Sequence, residues 1–167
     1  MKKIQMMLLA LFCLVTVLPA SAQMSSDARR FQNRVKNFLN NEGYNAYVDE
    51  DDDLCFKYQG EIYWISLDDG DNNSVYVEFH APGWNIQGKN RRAVLDAANQ
   101  INKGKKCVKA SVFDNSVAFT IELFAYDPTD FCKTIDRCLR VLTSAKEDCI
   151  DYYENNWTSS FASIILH

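Results

Sequence analysis

Two histidines, His80 and His167, are all that this 167-residue chain contains. It has no G-x-S-x-G, no H-E-x-x-H, no phosphate-binding loop and no dinucleotide fingerprint. The sequence signatures of the common hydrolases, zinc peptidases and nucleotide enzymes are therefore missing. A cysteine nucleophile would need His80 brought to Cys55 or Cys107 by the fold. No C-x-x-C is present, and Cys132 and Cys138 fall about 600° apart around a helix, so a cysteine metal cluster is not expected. The chain also lacks a basic stripe: 22 Asp and Glu outnumber 18 Lys and Arg, for a net charge of −4. Such a balance is poorly suited to nucleic acid. No internal repeat or low-complexity segment occurs, and no run approaches the roughly 20 apolar residues of a membrane span.

What is present begins with a leader. Lys2 and Lys3 precede an apolar run from Met6 to Leu18, interrupted by Thr16. "PASAQ" then places Ala20 and Ala22 at the −3 and −1 positions of a cut before Gln23. This is the pattern of a secretory signal peptide over residues 1–22, so export to the periplasm or beyond is expected, with no membrane anchor after cleavage. Residues 23–155 read as a single domain and 156–167 as an apolar tail. Losing Lys2 and Lys3 would move the net charge from −4 to −6. Five cysteines follow the leader: Cys55, Cys107, Cys132, Cys138 and Cys149. An odd number leaves at least one unpaired, and buried thiols and one disulfide both remain open.

Periodicity gives the order of elements. Phe31, Val35, Phe38 and Leu39 form the apolar stripe of a helix over 26–42, with Ser25 or Ser26 as cap and Gly43 as stop. Four strands are expected at 44–48, 54–59, 61–67 and 74–80. The third is apolar on both faces and reads as central. "APGWNIQGKN" reads as a break, followed by a helix over 91–103 with Val94, Ala97, Ala98 and Ile101 buried. A hairpin around "DN" comes next. "DPTD" starts a last helix, expected to run to about Glu154, with Asp127 as cap and Pro128 at its first position. The fold class is α+β: an antiparallel sheet with helices packed on one face, in the order α-ββββ-α-ββ-α.

With "FLNNEGYNAYVDEDDDLCFKYQGEIYWISLDD", "VLDAANQIN", a hairpin and a long helix in this order, the chain resembles the YbjN-like family over roughly residues 31–154. That family is similar in fold to the small chaperones of type III secretion. The motifs are a helix ending in G-Y, an acidic turn before a strand, a G-x-x-Y strand start, and a helix end carrying Ala98, Asn99 and Asn102. The resemblance implies a noncatalytic, often dimeric module that binds a protein or peptide or acts in regulation. It implies no catalytic residues and no cofactor.

Three groups of residues stand out as candidate sites. Asn99 and Asn102 sit where asparagine is a mediocre helix former. They are expected to bond the last helical carbonyls and the start of the next strand, the alternative being a ligand-contacting pair. Trp84, in the Gly/Pro stretch near His80, is expected to line a groove that binds a partner. The turns "DEDDD" (49–53) and "DDGDNN" (68–73) should share one end of the sheet. Asp49, Asp51, Asp53, Asp68, Asp69 and Asp71 there could supply oxygens to Ca²⁺, although Asp and Asn are also ordinary turn formers. The tail "WTSSFASIILH" carries no charged residue before its histidine and is expected to dock on its own domain, on a sheet edge, or on a second copy.

Overall fold

The computed structural model describes residues 24–71 and 73–158; the leader and the last nine residues lie outside it. Helix α1 (Ser26–Asn41) starts at Ser25, whose hydroxyl accepts the Ala28 N–H at 3.1 Å. It stops where Gly43 takes a left-handed backbone, φ +87°. Its buried stripe is Ala28, Phe31, Gln32, Val35 and Leu39.

Six antiparallel strands follow in one sheet, ordered β1-β2-β3-β4-β6-β5. They are β1 (Tyr47–Val48), β2 (Leu54–Tyr58), β3 (Glu61–Asp69), β4 (Val75–Asn85), β5 (Lys109–Val112) and β6 (Ser116–Ala125). Helix α2 (Arg91–Gly104) separates β4 from β5. Helices α3 (Pro128–Cys132) and α4 (Ile135–Tyr153) close the chain, followed by a π-helical turn, Glu154–Thr158. The α+β class and the order α-ββββ-α-ββ expected from the sequence are those observed, with two helices in place of one at the end.

Alternation along the strands decides which face is core. Leu54, Phe56, Tyr63, Ile65, Leu67, Val77, Phe79, Val117, Phe119 and Ile121 are all buried. They form one cluster with the inward residues of α1, α2, α3 and α4. The opposite face carries no helix among the described residues. One row across it reads Tyr47, Cys55, Trp64, His80, Thr120 and Lys109.

Three boundaries differ from the sequence reading. Strand β1 has only two residues, because the helix exit uses up Tyr44: its N–H bonds the Leu39 carbonyl at 2.9 Å. The expected long final helix is two helices. Thr134 donates its hydroxyl back to the Phe131 carbonyl at 2.7 Å, closing one helix before the next begins at Ile135. Strand β4 is the largest departure. It continues through Pro82-Gly83 to Asn85, with a shift of register between Ala81 and Trp84. A bulge is one place where a sheet accepts proline. A Cβ at Gly83 would lie 3.3 Å from the Val117 carbonyl oxygen, a close approach that glycine permits.

Candidate partner-binding site

The fold separates the residues singled out from sequence. Trp84 is buried rather than open to solvent: the extended β4 carries it into the core, where it is 7% exposed. It meets the Tyr153 ring edge-on at 5.4 Å and 70°, with the Lys89 ammonium 5.4 Å from the Trp84 ring.

Asn102 makes the strand half of the bonding expected of a helix-end asparagine. Its amide nitrogen donates to the Ala110 carbonyl at 3.0 Å, and its oxygen accepts the Ala110 N–H at 2.7 Å. Ala110 lies on edge strand β5, and its backbone groups point away from β6. Asn102 therefore occupies the hydrogen-bonding places of a further strand and blunts that edge. Asn99 is exposed and takes no part in this pairing. Replacing Asn102 by alanine should cost about 1 kcal/mol, whereas Asn99→Ala should change stability by less than about 0.5 kcal/mol. Urea denaturation of the two variants checks the contrast.

The acidic turns do meet at one end of the sheet, and the start of α1 lies against both. The Asp49 carboxylate accepts the N–H groups of Asp51 and Asp53 at 3.0 and 2.9 Å, and the Cys55 thiol donates to it at 3.3 Å. Arg29 forms two hydrogen bonds to Asp52, at 2.9 and 3.2 Å. They hold the Asp52 carboxyl below, and the guanidinium above, their ordinary ranges. The buried Gln32 donates to the Asp52 carbonyl, and Ser25 donates to Asp69. Burial raises the pKa of Asp53. Asp51, Asp68 and Asp71 are exposed, and Asp68 and Asp69 belong to β3 rather than to the turn. Among the described residues no three His, Cys, Asp or Glu side chains converge as a metal site.

His80 and Cys55 lie on the open face, two strands apart with Trp64 between them. Two strand spacings are about 10 Å, well beyond hydrogen-bond reach. Burial, aided by Asp49, pushes the Cys55 thiol up to about 12, the opposite of an activated nucleophile. All five cysteines in the described residues are free thiols. His80 stacks on Trp64 at 4.8 Å and 6°. Burial lowers its pKa, against the opposing pull of Glu78, Asp53 and Glu122. Between the lowered native value and the ordinary value near 6.5, the unfolded chain holds a proton that the native one does not. Stability therefore falls as pH drops below about 6.5. A His80→Gln variant should lose part of this slope, which thermal melts between pH 7 and pH 5 will read.

The site that sequence reading missed lies on the helical side. Strand β5 begins at Lys109, opposite Thr120, so among the described residues β6 from Ile121 onward has a strand neighbour only on its β4 side. The hairpin bond from the Phe113 N–H to the Ser116 carbonyl, 2.8 Å, sets the alternation. Ser116, Ala118 and Thr120 turn their backbone groups toward β5, so Glu122 and Phe124 turn theirs to the vacant edge. Beneath that edge runs an open groove of about 900 Å³ between β6 and α4. Its apolar lining includes Ile121, Leu123, Ala125, Phe131, Cys138 and Val141. Lys106, Arg137 and Arg140 stand at its rim, with Asp127 and Asp130 also on the lining. Phe124, whose ring meets Tyr76 on the open face, is 61% exposed, and Tyr126, just past the end of β6, is 70% exposed; both also border the groove. The Glu122 side chain is fixed by Lys109, by Thr120 at 3.0 Å and by the Tyr76 hydroxyl at 3.0 Å. Those bonds, Lys109 first, lower its pKa.

The chain is similar in structure to YbjN, a proposed transcription regulator from E. coli, at 15% identity and a TM-score of 0.44 over 69% of this chain and 87% of that one. No protein-family model and no curated sequence matches. Among the described residues no helix is long and apolar enough to cross a membrane.

Proposed function

We propose that this is an exported, noncatalytic binding module that takes up an extended segment of a protein or peptide along the free edge of β6. The observation that carries the reading is the vacant edge at Glu122 and Phe124, set directly above an apolar groove. An added strand would gain main-chain hydrogen bonds from the edge, and alternate side chains would enter the groove. Apolar residues on both sides of the edge, Leu123 below and Phe124 above, suit a segment that is apolar on both faces. The role is chaperone-like in chemistry: it covers a sticky strand and transforms nothing. Export is supported by the Lys2-to-Ala22 leader, and mass spectrometry of the envelope fraction should find a mature N-terminus at Gln23. An intact Met1 would remove that part of the reading.

The binding part is tested with a fluorescent octapeptide of alternating valine and threonine, which can serve as an added strand. Anisotropy should rise on titration with the mature protein. A flat titration would contradict edge binding.

A further inference from the structure

Resting on the edge-binding reading, we infer that the segment taken up is acidic at its C-terminal end: an apolar extended stretch followed by glutamate or aspartate, laid antiparallel to β6 with its carboxylates at Lys106 and Arg140. The charge of the groove carries this. On a chain of net charge −4, three cations, Lys106, Arg137 and Arg140, stand on one groove. None of the three forms an ion pair among the described residues, whereas the neighbouring Lys105 and Lys109 pair with Asp148 and Glu122. The carboxylates of the lining are already engaged. Asp127 accepts the N–H groups of Thr129 and Asp130 at 2.7 and 3.1 Å, and Lys133 donates to Asp130 at 2.7 Å. Arg137 stands in the first turn of α4, where the helix dipole disfavours a cation. The charge left to attract a ligand is therefore positive.

Its placement gives the ligand a direction. Lys105 donates to Ser144 at 2.6 Å, which brings Lys106 to the part of α4 where Arg140 lies one turn before Ser144. Residues 105–108 lead into β5 at Lys109, opposite Thr120, so this is the Thr120 end of the vacant edge. Asp127 and Asp130 stand at the other end, just past Ala125. The groove is thus basic at one end and acidic at the other. A strand antiparallel to β6 runs from Ala125 toward Thr120, in line with β5 and in its direction, and antiparallel pairing is the more stable kind. Carboxylates at its C-terminal end meet Lys106 and Arg140. Carboxylates at its N-terminal end meet Asp127 and Asp130. Rim charges of this kind select the sequence and its direction and speed the encounter, while main-chain bonds and apolar burial hold the segment.

Four fluorescent peptides with both ends blocked test this on the mature protein: the valine–threonine octapeptide alone, with Glu-Glu after it, with Glu-Glu before it, and with Lys-Lys after it. At low salt the C-terminal Glu-Glu peptide should bind roughly fivefold tighter than the plain one, as two exposed ion pairs allow. The gain should shrink as salt screens the rim. Glu-Glu at the front should gain nothing, and Lys-Lys at the end should weaken binding. Lys106 and Arg140 are exposed, so the double variant Lys106→Gln, Arg140→Gln should fold. It should no longer distinguish the C-terminal Glu-Glu peptide from the plain one. Equal binding of the plain and both Glu-Glu peptides by the parent protein, or a larger gain from the N-terminal pair, would overturn the inference and leave the edge-binding reading standing. So would tighter binding of a peptide of residues 159–167, which carries no acidic side chain. Binding of none of these peptides would overturn both.

Discussion

Replacing Trp84 by alanine is expected to remove about 3–5 kcal/mol of stability, the usual cost of deleting a buried aromatic side chain. The size follows from what the indole holds. It is 7% exposed, and it fixes the Tyr153 ring edge-on at the end of α4. The Tyr153 hydroxyl in turn accepts the Asn90 N–H at 3.2 Å, at the residue whose side chain caps α2. Loss of the indole therefore loosens the junction of β4, α2 and α4 together. Trp84→Phe should recover part of the loss, because it keeps the edge-on ring pair with less buried area. Chemical denaturation of both variants gives the numbers. Octapeptide affinity, measured on the folded protein, should stay within a few-fold of the parent. A Trp84→Ala protein of normal stability that failed to bind would restore the indole to a groove.

The second large effect is on binding. Phe124→Pro should weaken octapeptide binding at least tenfold, which is about 1.4 kcal/mol. Phe124 directs its N–H away from β4, so proline removes a donor from the vacant edge and spares the ladder that holds β6 to β4. Proline is tolerated at sheet edges whose N–H faces solvent, and the Phe124 side chain is already 61% exposed. Stability should fall by no more than about 1 kcal/mol. Leu123→Asp should produce a loss of similar size by another route, placing a carboxylate where apolar side chains must enter. Agreement between the two variants would tie edge and groove to one site. Isothermal calorimetry with parallel thermal melts separates binding from folding.

Much of the fold was legible because its signals are local. The Phe31-to-Leu39 stripe lies between Ser25 and Gly43, and a cap and a stop leave little freedom for the helix between them. Asp127-Pro128 started α3 as expected, with the Asp127 carboxylate accepting from Thr129 and Asp130 at 2.7 and 3.1 Å. Asn102 was legible as a helix-end amide, although the sequence did not show that Asn99 would be turned to solvent. Pro82-Gly83 misled for a physical reason. Read locally, the pair breaks a strand; in the sheet it forms a bulge that the neighbouring β6 backbone accommodates. The acidic residues were correctly gathered at one end, but their partners Arg29, Gln32 and Ser25 come from a helix more than 15 residues away, which turn composition does not reveal. The groove was invisible for the same kind of reason. It exists because β5 ends its pairing at Thr120 while β6 runs on to Ala125, and that mismatch is a property of two strands taken together.

The central claim is that the free edge of β6 receives the partner, and backbone hydrogen exchange tests it most directly. In the mature protein the amides of Glu122 and Phe124 have no strand partner among the described residues, and they should exchange quickly, unlike those of Ile121 and Leu123, which pair with β4. Saturating octapeptide should slow exchange at Glu122 and Phe124 by tenfold or more and leave the open-face row at Trp64 and His80 unchanged. Protection that appears at Trp64 and His80 instead, with Glu122 and Phe124 still exchanging freely, would contradict the account.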